Sequence, residues 1–147
     1  MNARSSYRQI AAQGARPMQL VILLYEQCLD DLRRAVDALK RNDIETRTRE
    51  INHAILVIGH LQGTLDRDQG GAVAEQLDRF YNQVRTGLLD AHAHQSVAEL
   101  EKQISCVMQV YEAWREADLS SAAASQNLEP AQPPTENQPR SLAEWNA

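Results

Sequence analysis

Apolar positions recur at alternating spacings of three and four along most of this chain, the repeat of one face of an α-helix. After Pro17, which suits a first helical position, the residues Val21, Tyr25, Cys28, Leu32, Val36 and Leu39 make one such stripe, ending near Lys40. "RNDIE" interrupts the pattern, and Asp43 is placed to cap a second helix. Its stripe runs through Ile44, Ile51, Ile55, Ile58 and Leu65, supported by Ala54 and Leu61. "LDRDQGG", residues 65 to 71, is a second break, where paired glycines permit a tight reversal. A third stripe carries Val73, Leu77, Phe80, Val84, Leu88 and Ala91. "AHAHQS" then leads to Ser96 as a cap, and a fourth stripe follows through Val97, Leu100, Ile104, Val107, Tyr111 and Trp114.

This alternation is the seam of a left-handed helical bundle, and short connections make successive helices antiparallel. The predicted fold is all-α, an antiparallel up-down four-helix bundle over residues 17–118, with helices over about 17–40, 43–64, 71–92 and 96–118. Residues 1–16 are polar apart from Tyr7 and Ile10. Residues 119–147 change to Ser, Ala, Gln, Pro and Asn, and "EPAQPPTENQP" cannot hold a helix, so this part reads as a disordered tail. Leu142 and Trp145 near its end make at most a brief turn.

The stripes do not absorb every apolar residue. "LVILLY", residues 20 to 25, is apolar all round, whereas a surface helix needs one apolar face. It is too short to cross a bilayer, which takes about 20 apolar residues. With Tyr25, Leu32 and Leu39 turned inward, Leu20 and Leu23 point away from the core and Leu24 lies at the margin. Leu56 and Val57 leave the stripe of the second helix in the same way, and Cys106 and Val110 that of the fourth. Three uses of this surplus stand open: extra core under the N-terminal segment, self-association as a weak homodimer, or a groove for a partner's amphipathic helix.

Composition narrows the function. The chain has 147 residues and a formal charge of −5, which argues against a nucleic-acid binder, whose phosphate contacts need a basic face. No secretory core or membrane-length segment occurs, so a cytoplasmic protein without membrane insertion is expected. Cys28 and Cys106 read as free apolar cysteines. Glu50 and His53 make one Glu-x-x-His pair, but a di-iron bundle needs a second pair and two more glutamates, and His53 projects away from the stripe. His92 and His94 fall in a connection, without further ligands for a metal. His60 with Gly63 is similar to a phosphotransfer histidine, although the Lys-Gly pair expected after it is replaced by Gln62 and Gly63. No catalytic arrangement or cofactor motif is present, so neither an enzyme nor a cofactor is expected.

The order of motifs resembles the FliS family of flagellin-specific export chaperones. Tyr7 precedes Pro17 as a family tyrosine precedes a helix-starting proline, and a Leu-rich stretch then ends at Leu24 and Tyr25. Asp43, Ile44 and Glu45 match a family connector. "LDRDQGGAVAEQLDRFY", Leu65 to Tyr81, matches without a gap the family's Leu-Asp-x-x-x-Gly-Gly-x-Ile-Ala-x-x-Leu-x-x-Leu-Tyr. "LLDAH" and "YEAWREA" follow in family order, so the likeness runs over about residues 5 to 118. Glu26 and Gln27 replace the family's Asp-Gly, Gly14, Ala15 and Arg16 replace its Thr-Ala-Ser, and the Pro-rich tail lies outside its pattern.

The resemblance implies a bundle without enzymatic activity that binds the disordered C-terminal part of flagellin 1:1 in the cytosol. It also implies prevention of early polymerisation and delivery to the type III export gate. The N-terminal segment would be a lid over an apolar cleft. Tyr7 takes the family's gate-docking role, and Ile10 is grouped with it. Leu20, Leu23 and Leu24 are carried over to the cleft, while Leu56 and Val57 are added from helical phase. A phosphotransfer bundle through His60 and a self-associating structural bundle are the alternative readings.

Overall fold

A computed structural model describes residues 16–127. The described residues form four helices and no strand: α1 (Pro17–Lys40), α2 (Ile44–Gly63), α3 (Gly71–His94) and α4 (Val97–Asn127). The chain divides into two units at Arg115/Glu116, and the bundle is built from the first.

Two of the three connections use the same chemistry. Asn42 (φ 58°) and Gln95 (φ 51°) take the left-handed conformation that ends a helix. The next amide in each case reaches back to a carbonyl of the last turn, Asp43 to Ala38 at 2.8 Å and Ser96 to Ala91 at 3.0 Å. The same two residues then cap the following helix: Asp43 Oδ1 accepts from the Thr46 amide and Ser96 Oγ from the Glu99 amide, each at 3.1 Å. In the middle connection Asp66 Oδ1 accepts from the amides of Asp68 (3.1 Å) and Gln69 (3.0 Å). A Cβ on Gly70 would overlap the Asp66 carbonyl, and Gly71 has φ +52°. The paired glycines thus meet a steric demand and a conformational one. At the start of α1, Gln19 Oε1 accepts from the Arg16 amide at 3.3 Å, in place of a capping hydroxyl.

Side-chain pairs fix the topology. Asp31 and Arg34 of α1 meet His53 and Glu50 of α2, and Gln62 of α2 bonds Asp78 and Asn82 of α3. Gly87 of α3 abuts Gln103 of α4, and Glu26 and Lys40 of α1 meet Tyr111 and Glu101 of α4. Numbering runs in opposite senses along the α1–α2 and α1–α4 seams, and the short connections set α3 antiparallel to its neighbours, so the four helices close an up-down square with α1 and α3 on a diagonal. Tyr25 and Tyr81 span that diagonal with their hydroxyls 2.8 Å apart and ring centroids at 6.3 Å. Each hydroxyl is the other's partner, which makes burial of two polar groups tolerable.

The stripe of α1 is buried as expected throughout, and Ile51, Ile58, Leu61, Val84, Leu88, Leu100 and Val107 join it in the core. Four expectations are corrected. Val73 is exposed, while the rest of the predicted α3 stripe is buried or packed on the core and is widened by Ala74 and Tyr81, so only the first turn of α3 departs from it. Ile44 is exposed, because the first residue of α2 lies at the end of the bundle. His53 does not point away from the core but sits in the α1–α2 seam against Asp31. Finally, α4 passes the predicted tail boundary and continues to Asn127, since Ser120 to Ala124 are small residues compatible with a helix. The rest of the predicted tail and the N-terminal segment with Tyr7 and Ile10 lie outside the described residues.

Candidate partner-binding groove

The first turns of α1 and the last turns of α2 form one end of the α1–α2 seam, because the two helices run antiparallel. Here the structure splits the predicted cleft residues. Leu24 and Val57 are 6% and 4% exposed and belong to the core cluster. In a four-helix square each helix touches two neighbours, so its buried arc is about half the circumference rather than a narrow stripe. Leu24 and Val57 lie on the part of that arc that faces the other helix of the seam. Leu20 and Leu23 are half-buried above them. Leu56 stands 58% exposed on the outer face of α2. Cys106 and Val110 of α4 are also half-buried.

Leu56 shares its outer face with Gly59 and Gly63, at helical spacings of three and four. A Cβ on either glycine would meet nothing within 4 Å. The bundle therefore does not require these two residues to be glycine, although each weakens a helix by roughly 0.5–1 kcal/mol relative to alanine. The face they leave is smooth backbone beside one exposed leucine, a shape that admits another helix at close range. The sequence reading missed this pair; two glycines four apart inside a helical segment were the signal.

Below the groove the seam is polar. The buried Asp31 carboxylate accepts from Gln27 Nε2 at 2.8 Å and Arg34 Nη2 at 2.6 Å, and its other oxygen meets His53 Nδ1. Arg34 Nε also pairs with Glu50 at 3.2 Å. Burial raises the Asp31 pKa above the usual carboxylate range, and the contacts with His53, Gln27 and Arg34 offset only part of that. Burial likewise pushes the Cys28 thiol up to about 12, with Asp31 adding to it, so this cysteine is an inert core residue. On the other flank of α1, Tyr111 donates to Glu26 at 3.1 Å with Arg115 over its ring, and the phenol pKa is raised, by burial first and Glu26 second.

The remaining candidate positions have other placements. Glu50 and His53 are both engaged in the seam network, with Arg34 and Asp31 respectively. His60 is exposed in the last turn of α2. His92 and His94 fall in the last turn of α3 rather than in a connection, His92 half-buried and His94 exposed with Nδ1 2.9 Å from the Asp90 carbonyl. Among the described residues no group of three or more His, Cys, Asp and Glu could hold a metal ion, and no helix is long and apolar enough to cross a membrane.

Comparison with known proteins places this geometry. The profile of a family described as "Flagellar protein FliS" matches residues 1–121. The flagellar secretion chaperone FliSB of Pseudomonas aeruginosa is 30% identical over 78% of this chain and 94% of its own length. The flagellar secretion chaperone FliS of Campylobacter jejuni is 30% identical over 83% of this chain and 95% of its own. That of Salmonella typhimurium is 27% identical over 72% and 79%. With a four-helix bundle, a family match over most of its length and relatives of similar extent, the chain belongs to the FliS family of flagellar secretion chaperones.

Proposed function

We propose that this chain binds the disordered C-terminal segment of flagellin 1:1 in the cytosol, keeps it from polymerising and brings it to the type III export gate. The observation that carries this reading is the outer α1–α2 surface, where Leu56 stands exposed beside Gly59 and Gly63 and the bundle leaves Leu20 and Leu23 half covered. An unfolded segment that orders on binding must recover its conformational entropy from apolar burial. Each leucine-sized side chain covered contributes roughly 1.5–3 kcal/mol. Leu20, Leu23 and Leu56 make the rim of the groove, and Leu24 and Val57 make its floor from within the core. Tyr7 and Ile10, which lie outside the described residues, take the family's lid and gate-docking roles in this reading. The work needs neither catalysis nor a cofactor, because holding and releasing a helix is an equilibrium of surfaces.

The test is Leu23→Asp. A charge at a half-buried rim position should weaken the complex with a flagellin C-terminal segment at least tenfold, with the thermal midpoint of the free bundle little changed. Unfolding of the variant would instead make Leu23 a core residue and remove it from the groove.

A further inference from the structure

The α1–α2 seam carries a polar clasp that the proposed function does not use. Asp31 is 1% exposed, the most deeply buried of the three buried polar side chains among the described residues, the others being Arg47 and Gln103. Its carboxylate takes partners from both helices: Gln27 and Arg34 of α1, at 2.8 and 2.6 Å, and His53 of α2. Arg34 extends the clasp to Glu50 of α2 at 3.2 Å, whose side chain is 13% exposed.

Such a cluster is a poor device for stability. Desolvation offsets most of the attraction in a buried ion pair, and apolar side chains of similar volume often serve as well or better. The raised pKa of Asp31 is that desolvation cost at this site. What a buried polar group supplies, and apolar packing does not, is a single register. Apolar contacts are nearly interchangeable along this seam. Every turn of α1 from Val21 to Leu39 buries apolar side chains, and Ala54 to Ile58 are five apolar residues in succession. The polar pairs are not interchangeable. Asp31 and Arg34 lie one turn apart on α1, and His53 and Glu50 one turn apart on α2, so both pairs fit in one alignment only. Sliding α2 by a turn would set the Asp31 carboxylate against Val57 or against the Glu50 carboxylate.

The clasp also stands between the Asn42 connection and the groove. Leu23 and Leu24 lie about two turns beyond Asp31 along α1, and Leu56 and Val57 about one turn beyond His53 along α2. We propose that Asp31, His53, Arg34 and Glu50 are positioning residues for the partner groove. They hold α2 at one register against α1, so that Leu56, Gly59 and Gly63 stand level with Leu20 and Leu23. The use of the groove rests on the flagellin reading, whereas the register is a property of the free bundle.

The experiment follows the full chain by amide NMR in its free form and by calorimetry against the flagellin C-terminal segment. Asp31→Leu/His53→Leu replaces the buried pair by apolar side chains and should melt at or above the wild-type midpoint. Its Leu20, Gly59 and Gly63 amides should shift or split in the free protein, and its affinity for the segment should fall about 3- to 30-fold. Asp31→Asn keeps the hydrogen-bonding shape without the charge and should keep the wild-type resonances and affinity. Unchanged affinity in the folded double variant overturns the proposal. So do Leu20, Gly59 and Gly63 resonances that stay in place, or a loss in Asp31→Asn equal to that of the double variant. If the double variant does not fold, Arg34→Met decides, since this side chain is half exposed and its loss leaves the core intact. Shifted Gly59 and Gly63 amides in that variant support the proposal, and wild-type ones overturn it. A wild-type chain that fails to bind the segment refutes the flagellin reading alone, and the resonances of the free protein still test the register.

Discussion

Replacing Gly59 and Gly63 by alanine separates what the bundle needs from what a partner needs. Both positions lie in α2, and an added Cβ meets nothing within 4 Å at either. The free protein therefore gains helix propensity without a clash, roughly 0.5–1 kcal/mol for each substitution. In a small domain 1 kcal/mol moves the thermal midpoint by about 4–8 °C, so the double variant, gaining about 1–2 kcal/mol, should melt about 4–16 °C higher by circular dichroism. A helix laid on this face meets two new methyl groups. Overpacking costs about 1–3 kcal/mol, which is roughly a 5- to 150-fold loss in affinity for the flagellin segment by calorimetry. A lower midpoint would refute the claim that the bundle tolerates side chains there. A higher midpoint with unchanged affinity would place the bound helix on another face.

Three further outcomes follow from the packing. Leu24→Ala should cost about 2–5 kcal/mol in urea unfolding, whereas Leu56→Ala, with the side chain already exposed, should cost under about 1 kcal/mol. Tyr25→Phe leaves the buried Tyr81 hydroxyl without its 2.8 Å partner and should destabilise by about 1–3 kcal/mol, seen as a lower denaturation midpoint at unchanged slope. For Asp31 the folded pKa is raised, so the native state holds its proton more tightly than the unfolded chain does. The penalty is absent below the unfolded value of about 3.9 and grows as pH rises through the folded value. Asp31→Asn should remove that downward slope of stability with pH; an unchanged slope would show that another group causes it. The N-cap Asp43, whose pKa is lowered by its bonds to Thr46, gives a slope of opposite sign at the acid end.

The periodicity was sufficient for the bundle because each helix carries a run of apolar residues at 3-4 spacing between clear breaks. Asp43 and Ser96 were legible as caps, since their side chains bond locally and need no tertiary information. The inner face of α3 was harder to read. Phe80 and Tyr81 are adjacent aromatics that both pack on the core, and only the diagonal partner Tyr25 decides which of them is fully buried. Leu24, Val57 and His53 were misplaced for a shared reason. A stripe read along one helix marks the centre of its buried arc, while the width of that arc depends on neighbours two seams away. Leu20, Leu23 and Leu56 were legible as leftover apolar residues, but not the smooth face at Gly59 and Gly63, because a missing side chain leaves no hydrophobic signal. The continuation of α4 past Leu119 rests on alanine and serine, whose helical preference the surrounding prolines obscured.

The central claim is that this bundle captures an unfolded flagellin terminus on its outer surface. Size-exclusion chromatography of the full chain with the cognate flagellin C-terminal segment, combined with circular dichroism of the eluted species, tests it most directly. The account predicts a 1:1 complex with more helix than the sum of the separate components. Separate elution at both low and moderate salt, or a complex that forms without any gain in helix, would contradict it.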